Sequence, residues 1–245
     1  MLTAIASPGL ACSRRVPAAA ADPWGGLSVE ITGGGGLREG QPGGIAVVLL
    51  HGWGAPGDDL VGLAHLLEHP RARFFVPAAP LIEMGGGRAW WHLDASDHPQ
   101  FARDDQAPAR PPHPDLLAAR RAVQAVLRTV RQRYAPDSLC LAGFSQGAML
   151  SLDLALDASP PVDRVAALSG VMLVDSLPGL RAARPTRPAV FISHGRHDPR
   201  LPFTGSERAK ELLERHGFAV TFHPFEGGHE IPPDVVSALG GFLFG

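Results

Sequence analysis

The chain has 245 residues, of which 45% are hydrophobic and 19% are charged, so it has enough apolar material for a packed core and is not typical of a disordered chain. Its 22 Lys and Arg residues nearly balance its 24 Asp and Glu residues. The resulting net charge of −2 argues against a nucleic-acid partner, because binding to phosphates needs a basic surface. The sequence has no apolar run of about 18 residues, so we expect no transmembrane helix and no stable insertion into a membrane.

The N-terminal segment differs in composition from the rest of the chain, since residues 1–24 are rich in Ala, Ser and Pro. Arg14 and Arg15 are followed by a brief apolar stretch that Pro17 interrupts, which is too short for the apolar part of an export signal. We therefore predict a disordered tail over residues 1–24, a single domain over residues 25–245, and a cytoplasmic rather than an exported protein.

Beyond this tail, short apolar or β-branched runs alternate with segments whose apolar residues recur at helical spacing. The pattern predicts strands over 27–32, 45–50, 73–78, 138–142, 162–168, 189–193 and 219–225, and helices over 115–134, 145–157, 205–216 and 233–244. A further helix is predicted after Asp58 as its cap, with an apolar face of Leu60, Leu63, Leu66 and Leu67. Such alternation predicts an α/β fold with a mostly parallel sheet and helices on both faces.

Residues 79–114 have no clear period and are rich in proline toward their end, so we predict a long loop that is either functional or mobile. The loop contains Trp90 and Trp91. In one interpretation both indoles form the wall of an acyl pocket. In the other, one of the pair is a core residue, because aromatic side chains contribute much of the free energy of burial.

The sequence offers no convincing metal site or disulfide framework. It has two cysteines, Cys12 and Cys140, and the second lies in an apolar run, where cysteine is most often a small buried hydrophobe. His92, Asp94 and His98 lie in the long loop without the spacing of metal ligands. We therefore expect no metal and no other cofactor.

The motif GFSQG at residues 143–147 follows an apolar strand and opens a helix. A serine in such a strand–turn–helix context is typical of a nucleophile, because the turn is strained and leaves little room for flanking side chains. This context places Ser145 at the carboxyl edge of the sheet and at a helix N-terminus, where negative charge is favoured. The alternative is an ordinary glycine-flanked serine in a βα turn.

A serine hydroxyl is a poor nucleophile without a base, and the base must be oriented by a third group. His229 follows the last predicted strand, so it is expected at the same edge of the sheet as Ser145. Asp198 follows another strand at that edge and is the favoured acid, with Asp175 as the alternative. The chain order Ser145, Asp198, His229 is the order found in α/β-hydrolases.

A glycine-rich turn, LLHGWG at residues 49–54, directly follows a strand that is predicted to be buried. Backbone N–H groups in such a turn are free to donate to an oxyanion, so the N–H groups of Trp53 and Gln146 are the predicted oxyanion hole. A plain glycine-rich turn is the alternative. His51 is expected to support this loop through hydrogen bonds rather than to act in catalysis.

Together these segments resemble the phospholipase/carboxylesterase family of α/β-hydrolases, which includes bacterial carboxylesterases and the acyl-protein thioesterases. The matching segments are LLHGWGAPGDDL (49–60), AWWHLD (89–94), LAGFSQGAML (141–150), SHGRHDPRLP (193–202) and GGHEIP (227–232). The resemblance implies a single-domain α/β-hydrolase fold. It further implies that Ser145 is the nucleophile, Asp198 the acid and His229 the base, with Trp53 and Gln146 forming the oxyanion hole.

We therefore expect a cofactor-free serine hydrolase that cleaves carboxylic esters of short to medium acyl chains through an acyl-enzyme. Trp90 and Trp91 are expected to shorten the acyl pocket, and Leu201 to line it. A lysophospholipase or acyl-protein thioesterase is the enzymatic alternative, and a hydrolase-like binding protein is the non-enzymatic one. The expected partner is a small-molecule ester, and the protein is expected to be a monomer or a homodimer.

Overall fold

The structure, a computed structural model, describes residues 22–93, 102, 104, 112–156, 161–182 and 186–245. Its strands are β1 (Val29–Gly33), β2 (Ile45–Leu50), β3 (Ala72–Pro77), β4 (Leu81–Ile82), β5 (Arg88–Ala89), β6 (Ser138–Phe144), β7 (Arg164–Leu168), β8 (Ala189–Gly195) and β9 (Val220–Phe225). Its α-helices are α1 (Val61–Leu66), α2 (Pro114–Tyr134), α3 (Gln146–Ala155), α4 (Leu177–Arg181), α5 (Phe203–Arg215) and α6 (Pro233–Phe244). A 3₁₀ turn, Val174–Ser176, precedes α4.

Seven strands form one sheet in the order β1-β3-β2-β6-β7-β8-β9. The edge strand β1 runs antiparallel to β3, and all the other pairs in the sheet are parallel. Parallel neighbours need long crossover connections, and here helices supply them, so the carboxyl ends of the strands meet at one edge of the sheet. The predicted α/β architecture with a mostly parallel sheet is confirmed.

The central strand β2 is buried along its whole length. Val48 and Leu50 pack in an apolar cluster that contains residues of α2, whereas Val47 and Leu49 pack in a second cluster that contains residues of α1 and α6. Because successive side chains of a strand point to opposite faces, a strand covered on both faces needs apolar residues at every position. This is the physical reason for the uninterrupted apolar run that predicted β2.

The predicted start of the first helix is wrong. Helix α1 begins at Val61, whose N–H donates to the backbone carbonyl of Asp58 at 2.9 Å, and no side chain caps it. Leu63 and Leu67 are buried, whereas Leu66 is 73% exposed. Residues four apart lie on one face of a helix, so Leu63 and Leu67 fill the contact with the sheet and Leu66 lies outside it.

Two short features were missed by the sequence patterns. The hairpin of β4 and β5 lies within the predicted loop, and each of its strands has only two residues, too few to show an alternation. Helix α4 contains Pro178 and Gly179, which both disfavour helix interiors. Pro178 is tolerated because it lies in the first turn, where its missing N–H removes no helical hydrogen bond.

The structure describes the last residues of the predicted tail. Residues 1–21 lie outside the described residues, but residues 22–24 are in contact with the domain. The indole of Trp24 lies 6.2 Å from the ring of Phe75, and the hydroxyl of Thr129 donates to the carbonyl of Pro23. Burial of an indole stabilises this packing, so the folded domain begins before residue 25.

Helices α2 and α3 are joined by an ion pair below the surface. Arg120 donates from Nε and Nη2 to the carboxylate of Asp153, whose side chain is only 3% exposed. The hydroxyl of Ser176 donates to the same carboxylate at 2.7 Å. These contacts fix helix α3, which begins directly after Ser145.

We expect Arg120→Met to lower the free energy of unfolding by about 3–5 kcal/mol, because it leaves Asp153 buried without its counter-charge. Arg71→Met is the control, since Arg71 pairs with Asp137 at 2.8 Å while both side chains are more than half exposed. Loss of that pair should cost less than about 1 kcal/mol. Urea unfolding of both variants measures the difference, and equal losses would contradict this account of the pair.

Candidate active site

Ser145 lies in a strained turn between β6 and α3. Its φ of 54° and ψ of −116° are uncommon for a residue with a side chain, and such conformations cost about 1–3 kcal/mol. A Cβ atom at Gly147 would lie 2.1 Å from the carbonyl oxygen of Leu50, and one at Gly143 would lie 2.2 Å from that of Gly147. Only glycine fits at both flanks, which is the physical basis of the GFSQG motif.

Ser145 lines a cavity of about 520 Å³ at the carboxyl edge of the sheet. The cavity is lined by the loop after β2, the turn around Ser145, the turn after β8 and the loop before α6. The lining residues are Gly52, Trp53, Gly54, Leu93, Phe144, Ser145, Gln146, Met149, Arg200, Leu201 and His229. Ser145 and His229, which are distant in sequence, therefore face the same space.

His229 is held by Asp198. Its Nδ1 lies 2.6 Å from the Oδ2 atom of Asp198, and the two side chains are 9% and 0% exposed. The imidazole also packs against the ring of Phe144, with centroids 4.8 Å apart. With Nδ1 engaged by the carboxylate, Nε2 is the ring nitrogen left to exchange a proton within the cavity.

The carboxylate of Asp198 accepts hydrogen bonds on both oxygens. Its Oδ1 accepts from the backbone N–H groups of Arg200 at 2.8 Å and Leu201 at 3.0 Å. Burial alone would raise the pKa of Asp198, but the hydrogen bonds from Leu201, His229 and Arg200 outweigh that effect and hold its pKa below the ordinary value. The carboxylate therefore stays ionised at neutral pH and can orient an imidazole.

His194 is a member of this site that the sequence analysis missed. It is fully buried, and its Nε2 lies 3.2 Å from Oδ2 of Asp198 and 3.1 Å from the carbonyl oxygen of Leu201. Burial lowers the pKa of His194, so it is neutral, and with two acceptors beside Nε2 that nitrogen donates. The sequence indicated it only through its position, because His194 lies near the end of a buried strand and four residues before Asp198.

Asp175, the alternative acid, lies elsewhere. It belongs to the 3₁₀ turn Val174–Ser176, beside the Arg120–Asp153 pair, and its backbone carbonyl accepts from Arg120 at 3.3 Å. The imidazole of His229 instead meets Asp198. Of the two candidate acids, Asp198 is therefore the one that lies beside His229.

Two backbone N–H groups at the cavity are available to an oxyanion. Trp53 and Gln146 both line the cavity, and neither backbone N–H donates a hydrogen bond to another described residue. Gln146 is the first residue of α3, and the first N–H groups of a helix have no partner within it. The arrangement is suited to stabilise negative charge on a carbonyl oxygen bound beside Ser145.

The side chains around these donors hold them in place. Gln146 accepts from the backbone N–H of Trp90 at 2.9 Å and donates to the carbonyl of Trp91 at 2.7 Å. His51 accepts at Nε2 from the N–H of Ala79 at 2.9 Å, and its Nδ1 lies 2.8 Å from the carbonyl oxygen of Gly52. His51 is fully buried and supports the loop, as expected from the sequence.

The predicted role of Trp90 and Trp91 as the wall of the acyl pocket is not what the structure shows. Both are buried in the apolar core, at 0% and 6% exposed, and neither lines the cavity. The indole N–H of Trp90 donates to the carbonyl of His51 at 2.9 Å, which satisfies its polar group inside the core. Of the three predicted pocket residues, Leu201 lines the cavity as expected.

Within the described residues, no group of three His, Cys, Asp or Glu side chains could hold a metal ion. The Nδ1 atom of His92 lies 2.8 Å from the carboxylate of Glu83, while Asp94, His98 and Cys12 lie outside the described residues. The structure also contains, in its described part, no helix long and apolar enough to cross a membrane.

The chain is similar to known proteins over most of its length. The sequence pattern of the phospholipase/carboxylesterase family matches residues 38–244. Acyl-protein thioesterase 1 of Saccharomyces cerevisiae is 26% identical over 229 residues, which cover 83% of this chain and 93% of the yeast protein. Acyl-protein thioesterase 1 of Gibberella zeae is 26% identical over 216 residues, covering 80% and 88% of the two chains. The crystal structure of esterase PE8 superposes with a TM-score of 0.71 at 28% identity, covering 89% of this chain and 97% of the esterase.

Proposed function

Because this chain belongs to the phospholipase/carboxylesterase family and has the α/β-hydrolase fold, it is a hydrolase of the carboxylesterase and thioesterase type, and we propose that it cleaves carboxylic esters through an acyl-enzyme on Ser145. The observation that supports this most strongly is the convergence of Ser145 and His229 on one cavity. His229 is oriented there by Asp198 at 2.6 Å, and Ser145 lies in a strained turn.

In the proposed mechanism, Oγ of Ser145 attacks the carbonyl carbon of the ester while Nε2 of His229 takes the hydroxyl proton. The negative charge that forms on the carbonyl oxygen is stabilised by the N–H groups of Trp53 and Gln146. His229 then returns the proton to the departing alcohol, which leaves an acyl group on Ser145. Water, activated by the same imidazole, releases the acid. Asp198 stays ionised throughout and stabilises the imidazolium.

For the acyl group, we propose a short to medium chain. Apolar side chains of the cavity, among them Leu93, Met149 and Leu201, offer a surface for methylene groups, each worth about 0.8 kcal/mol when buried. The cavity volume of about 520 Å³ lies in the lower half of the range of small-molecule sites. A cavity of this size holds a whole small ester, so neither its volume nor the buried indoles of Trp90 and Trp91 fixes the chain length, and a panel of esters is needed to measure it.

The second candidate is a thioesterase or lysophospholipase that acts on long acyl chains. Two curated relatives are called acyl-protein thioesterase 1, and a thioester presents the same reacting carbonyl carbon as an ester. The proposed groups at Ser145, His229 and Asp198 would serve both substrates. A hydrolase-like binding protein is the non-enzymatic alternative, and the proposed triad argues against it because all three residues are present.

We expect the intact protein to react covalently with a fluorophosphonate probe at Ser145. The Ser145→Ala variant should not be labelled, and its kcat for ester hydrolysis should fall by a factor on the order of 10⁶. Ser151→Ala is the matched control, since Ser151 lies buried in the same helix and its hydroxyl donates to the carbonyl of Gly147. Mass spectrometry locates the label. An unlabelled wild-type protein would favour the binding protein, and labelling of Ser145→Ala would exclude Ser145 as the nucleophile.

Asp198→Asn should lower kcat by about 10⁴, because an amide at this position presents His229 in the wrong tautomer. Asp175→Asn is the comparison, and its folded form should keep a kcat close to that of the wild type. Steady-state kinetics of both variants, together with circular dichroism to verify folding, measure the contrast. The reverse pattern of losses would show that Asp175 is the acid.

A panel of p-nitrophenyl esters from acetyl to palmitoyl tests the chain length. We expect kcat/KM to rise by up to about fourfold per methylene as far as butyryl or hexanoyl, and to fall once the cavity is full. The matching acyl thioesters should show the same optimum. A preference for palmitoyl over butyryl in either series would support the thioesterase or lysophospholipase instead.

A further inference from the structure

The charged side chains that line the cavity are basic. Among the described residues that line it, none is acidic, and only Arg200 and His229 carry groups that can be positive. The guanidinium of Arg200 supplies a positive charge at this lining. The described lining beside Ser145 therefore carries a positive charge, and the nearest carboxylate named here, that of Asp198, lies buried behind the imidazole of His229.

The backbone that holds Arg200 is rigid. The N–H groups of Arg200 and Leu201 both donate to Oδ1 of Asp198, and the carbonyl of Leu201 accepts from His194 at 3.1 Å. Prolines at positions 199 and 202 flank the two residues and restrict the backbone further. The Cα atom of Arg200 is thus fixed relative to His229, and only its side chain needs to be ordered when a ligand binds.

The other basic side chains of this turn already have partners. Nε of Arg196 lies 3.1 Å from the carboxylate of Glu226, and its guanidinium lies 4.9 Å from the ring centroid of Phe203. His197 also pairs with Glu226, at 3.1 Å. For Arg200, by contrast, no carboxylate among the described residues lies within ion-pair distance, and its side chain is exposed at the cavity.

We propose that Arg200 binds a carboxylate group on the substrate, so that this hydrolase prefers esters bearing a carboxylate to neutral esters of the same size. The inference rests on the proposed ester hydrolysis at Ser145 and names the class of its substrate. A guanidinium presents two parallel N–H donors that match the two oxygens of a carboxylate. The carboxylate belongs either to the acyl group, as in a monoester of a dicarboxylic acid, or to the alcohol.

Two pairs of substrates distinguish these sources. On the acyl side, mono-4-nitrophenyl adipate is compared with 4-nitrophenyl hexanoate, which has the same chain with a methyl in place of the carboxylate. On the alcohol side, 4-(carboxymethyl)phenyl butyrate is compared with 4-ethylphenyl butyrate, whose phenols are leaving groups of nearly equal acidity. For each pair the measured quantity is the ratio of kcat/KM for the charged ester to that for the neutral ester, which cancels general losses of activity in a variant.

We expect the wild-type ratio to be about two to five in one of the two pairs, a modest factor because Arg200 is exposed and water screens the interaction. Arg200→Gln should bring that ratio close to one, and Arg200→Lys should keep part of it. Arg196→Gln is the control, since that side chain lies in the same turn but is already paired, and it should leave the ratio unchanged. Added salt should lower the wild-type ratio.

Ratios near one in both pairs, in a protein that hydrolyses the neutral esters, would overturn the role of Arg200 and leave the proposed hydrolysis standing. A high ratio that persists in Arg200→Gln would also overturn it. Absence of turnover for every ester, together with absence of fluorophosphonate labelling at Ser145, would instead overturn the proposed function, and this inference with it.

Discussion

The site depends on the close approach of backbone segments around Gly143 and Gly147. Strand β2 lies beside β6, and the carbonyl of Leu50 fills the position where a side chain of Gly147 would be. The chain can leave β6 and enter α3 at this point only through a turn too sharp for ordinary backbone angles. Ser145 is the residue at that turn and is held at a φ of 54°. The packing of the sheet stabilises this conformation, and the exposure of the serine hydroxyl to the cavity follows from it.

A second constraint is the carboxylate of Asp198. It accepts hydrogen bonds from the imidazole of His229 and from two backbone N–H groups, Nε2 of His194 lies 3.2 Å from it, and it has no exposed surface. A buried charge is stable only when its acceptor sites are satisfied, so the backbone donors of the turn after β8 are as necessary to the ionised state as His229 is. The sequence between His194 and Leu201 is therefore a single structural unit around one anion.

Much of the fold and the proposed triad could be predicted because each rests on a local pattern. Strand β2 and helix α6 have the predicted bounds. The bounds of β2 follow from its uninterrupted apolar run, and those of α6 follow from the helical spacing of its apolar residues. The proximity of Ser145, Asp198 and His229 could be predicted because parallel strands bring their carboxyl ends to one edge of the sheet. The position of Trp90 could not, since an irregular loop has no period that tells which side of the chain faces the core. Its burial depends on the carbonyl of His51 and the amide of Gln146, which are distant in sequence.

The proposed chemistry and the proposed recognition share the same turn. Asp198 orients the imidazole of His229 through one oxygen and fixes the backbone of Arg200 through the other. A carboxylate bound by Arg200 would add negative charge to a cavity whose lining has none, and this charge would favour the imidazolium that forms when His229 takes the proton of Ser145. It would also oppose the negative charge at the oxyanion hole, so the benefit depends on distance. A substrate carboxylate separated from the reacting carbonyl by several bonds keeps its contact with Arg200 and reduces this opposition, because the interaction of two charges falls with their separation. On the proposed role of Arg200, a carboxylate several bonds from the ester is therefore expected to help more than one next to it.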